Sequence, residues 1–211
     1  YRELRQELLA KGHSFSSLTD SEVLLHLYEE HGTGMLKRLN GIFAFALWDG
    51  RQQKMFLARD GLGVKPLYYA VTPSGFLFAS ELKALLHCRE VSRELDPVAV
   101  HHLLAYLWTP APRTVLEGVK KLPPGCAMEI REGRVVSQWA YYDLPYTGDR
   151  LPGSETEIAE ELRHKLQEAV QRQMVSDVPV GAFLSGGLDS SAVVAMMRHA
   201  YPDSRPRCYS I

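Results

Sequence analysis

The stretch from Val180 to Ile211 admits few folds. A short apolar run, Val180 to Leu184, is followed by a glycine turn, a helical segment from Ser190 to about His199, and a second extended run from Arg207 to Ile211. Strand, turn, helix and strand in that order make a βαβ unit, in which the helix carries the chain back so that the second strand lies parallel to the first. One such unit does not complete a doubly wound sheet. It is therefore expected to be the first βαβ unit of a larger α/β parallel-sheet domain that continues past Ile211.

Upstream the rhythm differs. A helix is predicted over Glu155 to Met174, and before it Asp143 to Gly153 holds two prolines and two glycines among polar residues. That composition marks a linker, separating a domain over residues 1–145 from a second that starts at 154. The first domain opens with Tyr1 to Lys11, which carries Leu4, Leu8 and Leu9 on one helical face and stops at Gly12. A second helix follows Thr19-Asp20-Ser21-Glu22, with Thr19 or Asp20 as its cap and Val23, Leu24, Leu27 and Tyr28 as its apolar stripe, ended by Gly32 and Gly34. Four strands are then predicted at Gly41–Asp49, Met55–Arg59, Leu67–Val71 and Phe76–Ser80, with turns at Asp49-Gly50 and Pro73-Ser74-Gly75. Helices at Glu81–His87 and Pro97–Leu107 follow, the latter capped by Asp96, and then short strands near Ala127–Ile130 and Val135–Trp139. Helices followed by closely spaced strands predict an antiparallel sheet covered by helices, an α+β arrangement.

The formal net charge of −1, with no run of lysine or arginine, speaks against a nucleic-acid partner. The apolar stretches are far too short to cross a bilayer, and the charged opening Tyr1-Arg2-Glu3-Leu4-Arg5 is no signal peptide. That opening, already helical and without methionine, is expected to continue from a longer chain. The three cysteines, Cys88, Cys126 and Cys208, fit neither a disulfide framework nor a CxxC metal site, so a reducing, cytoplasmic setting is expected. The eight histidines are scattered, and the adjacent pair His101-His102 would point in different directions on a helix, which disfavours a metal site.

The chemistry concentrates in Ser185-Gly186-Gly187-Leu188-Asp189-Ser190-Ser191, between a strand and a helix. Gly186 and Gly187 permit positive φ and close backbone approach, so that N–H groups can converge on an anion. The helix start points its free N–H groups and positive dipole end at the same place. Ser185, Ser190 and Ser191 add hydroxyls, and Asp189 offers a ligand for a magnesium ion held against phosphates. The rival reading is a tight turn whose serines cap the helix. Three hydroxyls, an acid and the strand–helix context favour phosphate, although the lysine of a Walker loop is missing.

This segment resembles the PP-loop of the ATP-pyrophosphatase superfamily, whose members cleave ATP between its α- and β-phosphates. Four further segments resemble a class II glutamine amidotransferase domain: Thr19-Asp20-Ser21-Glu22, Leu39 to Ala46 (LNGIFAFA), Ala58 to Tyr69 (ARDGLGVKPLYY) and Phe78-Ala79-Ser80-Glu81. Leu122-Pro123-Pro124-Gly125 and Ala182-Phe183-Leu184 fit the same picture. Asparagine synthetases of the glutamine-hydrolysing type carry all of these ahead of a PP-loop, and the resemblance covers essentially the whole chain.

The resemblance implies an N-terminal-nucleophile hydrolase-type sandwich followed by the start of an ATP-pyrophosphatase domain, with ATP and Mg²⁺ as cofactors and glutamine and aspartate as substrates. It implies that Asp20 holds the α-amino group of glutamine, against the plainer reading of Asp20 as a helix cap. Phe183 and Leu184 would lie against the nucleotide, Ser185 to Ser191 would take the pyrophosphate, and Ile211 would reach the adenine or ribose. Arg59 and Asp60 are expected to form a turn-anchoring ion pair, shaped by Gly63 and Pro66. Class II amidotransferases use an N-terminal cysteine, and none of the three cysteines has that context. The 211-residue chain by itself is therefore expected to hydrolyse no glutamine and make no asparagine. Related enzymes with other acceptors (exopolysaccharide-cluster amidotransferases, β-lactam synthetases) and a catalytically dead nucleotide-binding module are the alternatives, and a homodimer is a further expectation.

Overall fold

Strand β2 (Lys54–Arg59) is the spine of the first unit, buried at every residue but Met55. The reason lies in its alternation. Phe56 and Ala58 point to one face and Leu57 to the other, so both faces carry apolar side chains and both are covered. In the computed structural model, which describes residues 1–146, 148–202 and 205–210, the chain divides into two compact units, Tyr1–Pro145 and Tyr146–Ile211.

In the first unit β2 lies between β1 (Ala44–Asp49) and β6 (Cys126–Arg131), with β7 (Arg134–Ala140) at the far edge of a four-stranded antiparallel sheet. A second sheet has the order β4 (Gly75–Ala79), β3 (Tyr68–Thr72) and the two-residue β5 (Lys120–Lys121). Helices α1 (Arg2–Ala10) and α2 (Asp20–His31) cover the outer face of the first sheet. There Leu8, Val23 and Leu27 meet Leu47, Phe56, Ala58 and Ala127 in one buried cluster. On the inner face Leu57, Met128 and Ile130 meet Leu67, Tyr69 and Leu122, the contact between the two sheets. Beyond the second sheet, Ala70 packs with Leu85 of the short helix α3 (Leu82–Leu85), together with Val91, Leu116 and Val119. The unit is thus a sandwich of two antiparallel sheets with helices outside.

The predicted strands agree with those observed to within one to three residues at each end. Two helical segments differ from expectation, the first because apolar residues follow the glycines. Gly32 ends α2 as expected, but Gly34 does not stop the chain, which continues as a 3₁₀ helix over Gly32–Arg38 and carries Met35 and Leu36 into the core. The predicted helix over Glu81–His87 shrinks to α3. Helix α4 (Pro97–Tyr106) begins as expected, with the Asp96 carboxylate accepting from the N–H groups of Val98 and Ala99, both at 3.0 Å.

The second unit holds α5 (Glu155–Gln173), β8 (Gly181–Phe183), α6 (Leu188–Ala200) and β9 (Arg207–Tyr209). A capping box starts α5: the Glu157 N–H donates to Ser154 Oγ, and the Ser154 N–H donates to Glu157 Oε2 at 2.8 Å. Strands β8 and β9 pair in parallel, Ala182 opposite Cys208, and the Leu184 N–H extends the ladder to Tyr209 O at 2.8 Å. Gly181 is required by close approach, since a Cβ there would sit 2.8 Å from Arg207 O.

Candidate functional site

The loop leaving β8 is built by its own hydroxyls. Ser185 Oγ lies 3.1 Å from Ser190 Oγ and accepts from the Gly187 N–H at 3.4 Å. Ser190 and Ser191 donate back to Gly187 O at 3.2 and 2.8 Å. These contacts close the loop over the start of α6, with Gly187 in the N-cap position.

Positive φ was expected at both glycines and is found only at Gly186, at +80°; Gly187 has φ −76°. An N-cap takes the extended region, which any residue adopts, so Gly187 needs no left-handed freedom. Nor does packing demand glycine there. A Cβ at Gly187 would meet only Ser185 Oγ at 3.5 Å, and one at Gly186 would meet nothing within 4 Å. The space over the loop is open, and α6 points its first N–H groups into it without a side-chain cap.

Phe183 to Ser191 are contiguous here. Phe183 is 77% and Leu188 85% exposed, and Asp189 stands in the first turn of α6. Ile211 lies outside the described residues.

In the first unit, Asp20 is the first residue of α2 and is exposed. The capping expectation fails for both candidates. Thr19 occupies the N-cap position with no side-chain cap, its hydroxyl turned to Ser17 Oγ at 2.9 Å. Glu22 ties down the approach to the helix instead. Its carboxylate accepts the Ser16 and Ser17 N–H groups, both at 2.7 Å, and both serine hydroxyls. Those bonds, the Ser17 hydroxyl foremost, hold the Glu22 carboxyl at about 2. Asp20 is thereby left out of the cap, its carboxylate accepting from the neighbouring Ser21 hydroxyl at 3.2 Å. Ser16, Ser17, Thr19 and Glu22 line a cleft of about 560 Å³ together with Phe45 and Trp48 of β1.

The pairing expected of Arg59 and Asp60 is also corrected. Among the described residues they form no ion pair with each other. Arg59 donates to Gly63 O, Lys65 O and Leu122 O at 2.6–2.7 Å, and Asp60 accepts from the N–H groups of Leu62, Val64 and Lys65 at 3.0–3.2 Å. Each anchors the turn, but through backbone. The reason is burial: Arg59 is 9% and Asp60 1% exposed, and the turn's own carbonyls and N–H groups need partners there.

The sequence reading also missed a grouping. His13, His26 and Glu29 bring their ligand atoms within 4.8 Å of one another, the one such group among the described residues. The two histidines are thirteen positions apart, and no spacing rule joins a loop residue to a helix residue.

Two sheets packed face to face with helices outside, followed by a parallel strand–loop–helix–strand unit, define an α+β sandwich joined to a segment of α/β type. The chain belongs to the glutamine amidotransferase domain family, which matches residues 1–142; the asparagine synthase family matches residues 161–211. It is 40% identical over 195 residues to asparagine synthetase (glutamine-hydrolyzing) 3 of Bacillus subtilis, covering 92% of this chain and 31% of that protein. To asparagine synthetase (glutamine-hydrolyzing) 1 of the same organism it is 36% identical over 202 residues, covering 96% and 32%. The chain therefore spans about a third of the length of these relatives.

Proposed function

We propose that this chain is part of a glutamine-dependent asparagine synthetase, with residues 1–145 serving the glutamine half and residues 154–211 opening the ATP half. The observation that carries the reading is the order of the two family matches along one chain, amidotransferase and then asparagine synthase. A glycine loop with open space above it stands at the strand-to-helix junction of the second match.

In the first half, glutamine is hydrolysed to glutamate and ammonia, and Asp20 holds the α-ammonium of glutamine. A carboxylate freed from capping duty suits that role through charge-assisted hydrogen bonds. In the second half, an oxygen of the aspartate side-chain carboxylate attacks the α-phosphorus of ATP, and the α–β phosphoanhydride breaks. Pyrophosphate leaves into the loop of Ser185 to Ser191. The helix N–H groups and the three hydroxyls stabilise the charge it gains. Ammonia then attacks the acyl carbon and AMP departs, leaving the amide.

Gly186 is accounted for by its positive φ of +80°, but neither backbone conformation nor packing within the chain explains the missing side chain of Gly187, and a phosphate approaching the backbone would. Asp189 offers the hard oxygen donor that would hold Mg²⁺, which screens phosphate charge when bound. Phe183 and Leu184 lie where the strand leads into the loop, against the nucleotide, and Ile211 is assigned to the adenine or ribose. The same reading makes the protein a cytoplasmic homodimer with no nucleic-acid partner.

The test is exchange of labelled pyrophosphate into ATP by the full-length protein, with Mg²⁺ and with or without aspartate. Aspartate-dependent exchange is the expected result. Exchange indifferent to aspartate but responsive to another carboxylate would overturn the product while keeping the loop assignment.

A further inference from the structure

We propose that His13, His26 and Glu29 form a site for a divalent transition metal of the zinc class. His13 Nδ1 and His26 Nδ1 are 3.1 Å apart, Glu29 Oε2 is 3.2 Å from His26 Nδ1, and it is 3.9 Å from His13 Nδ1. A tetrahedral ion with bonds of about 2.0–2.2 Å sets its ligand atoms roughly 3.3 Å apart, so these three already stand near the corners of such a shell.

The outer contacts point the same way. His13 Nε2 lies 3.1 Å from Glu30 Oε1, and a carboxylate there calls for the proton on Nε2, leaving the Nδ1 lone pair facing the cluster. Lys11 balances the charge of Glu30, with Nζ 3.2 Å from Oε2. His26 Nδ1 faces both His13 Nδ1 and Glu29 Oε2, and one ring N–H cannot lie along both directions. A cation between the three atoms satisfies all of them.

The rings are held in place as well. His26 packs edge-on against Phe15 with centroids 4.5 Å apart, and the Arg5 guanidinium lies 4.4 Å from the same Phe15 ring. The histidine side chains are 15% and 18% exposed and Glu29 is 66% exposed, so the protein closes one side and leaves the other to water. His26 and Glu29 lie one turn apart on α2, while His13 sits in the connection from α1. The metal therefore staples that irregular connection to the helix, a role separate from the chemistry proposed above.

The test uses the 211-residue chain stripped with chelator and titrated with zinc chloride by calorimetry, with cobalt(II) as a spectroscopic probe. Expected are one equivalent of zinc, a tetrahedral cobalt spectrum without thiolate charge transfer, and a zinc-dependent rise in Tm. Glu29→Gln and His26→Asn should each abolish the rise, and Glu30→Gln should weaken binding about 10–100-fold by loosening His13. Glu29 is exposed, so its variant keeps the test valid even if His26→Asn fails to fold. No rise in Tm for the unmodified chain, a thiolate signature, or unchanged affinity in Glu29→Gln and His26→Asn would each overturn the proposal.

Discussion

Arg59 and Asp60, neighbours in sequence, hold the same turn from opposite polarities. The guanidinium takes the carbonyls of Gly63 and Lys65, while the carboxylate takes the N–H groups of Leu62, Val64 and Lys65. Lys65 is gripped at both its N–H and its carbonyl. Arg59 also reaches Leu122 O, and Gly125 N donates to Asp60 O, so the turn at the end of β2 is bound to the segment entering β6.

Arg59→Lys should destabilise the first unit by about 2–4 kcal/mol, because one ammonium cannot serve three carbonyls set around a planar fork and buried acceptors are left bare. Urea denaturation of the variant, with the midpoint lowered at unchanged slope, would bear this out. A midpoint like that of the parent chain would refute it.

The Glu22 carboxyl, held near 2 from an ordinary 4.5, contributes stability that is fully present above about pH 5 and fades as pH falls toward 2. Thermal melts of the parent and of Glu22→Gln should therefore differ at neutral pH and converge as acid is added. A gap that stays constant down to the lower pH would show that the carboxylate's charge is not what holds Ser16 and Ser17.

Gly125 and Gly12 separate two reasons for glycine. Both have positive φ, +63° and +95°, but a Cβ at Gly125 would fall 2.3 Å from Tyr142 O, whereas one at Gly12 meets nothing within 4 Å. Gly12→Ala should cost the left-handed backbone penalty alone, about 1–2 kcal/mol. Gly125→Ala should cost clearly more, since the atom it strikes is backbone. Equal losses in parallel melts would contradict the structure.

Asp20→Asn in the full-length protein should raise KM for glutamine about 10–100-fold, the loss of a hydrogen bond to a charged group, while synthesis supported by free ammonia is unchanged. Steady-state assays with each nitrogen source distinguish this from a fold defect, which would depress both.

The sequence displayed what depends on period. The run Met55–Arg59 was legible as a strand, though not its burial on both faces, and the stripe of Val23, Leu24, Leu27 and Tyr28 as a helix on its core. It hid what depends on partners distant along the chain. Lys120 and Lys121 show no apolar alternation, and they enter a sheet only because the Tyr68 and Tyr69 backbone lies beside them. Arg59 and Asp60 were legible as turn anchors, but their choice of backbone over each other follows from burial that no local pattern encodes. At the glycine loop, sequence conveyed the strand, the turn and the helix. The extended φ of Gly187 follows from its N-cap position, which the predicted helix start at Ser190 placed too late.

The central position of β2 bears on how the chain is made. Its ladder with β6 sets Phe56 opposite Glu129, and beside it the Lys54 ammonium donates to the Glu129 carboxylate across 75 positions of sequence. At about 5–20 residues per second, a ribosome needs roughly 4 to 15 seconds to travel that interval. Throughout it β2 has β1 on one side and an open, apolar edge on the other, the kind of edge that recruits foreign strands. Nascent chains arrested before Cys126 should therefore lean on chaperones, and synonymous changes that slow translation between β2 and β6 should reduce yield without altering a single side chain.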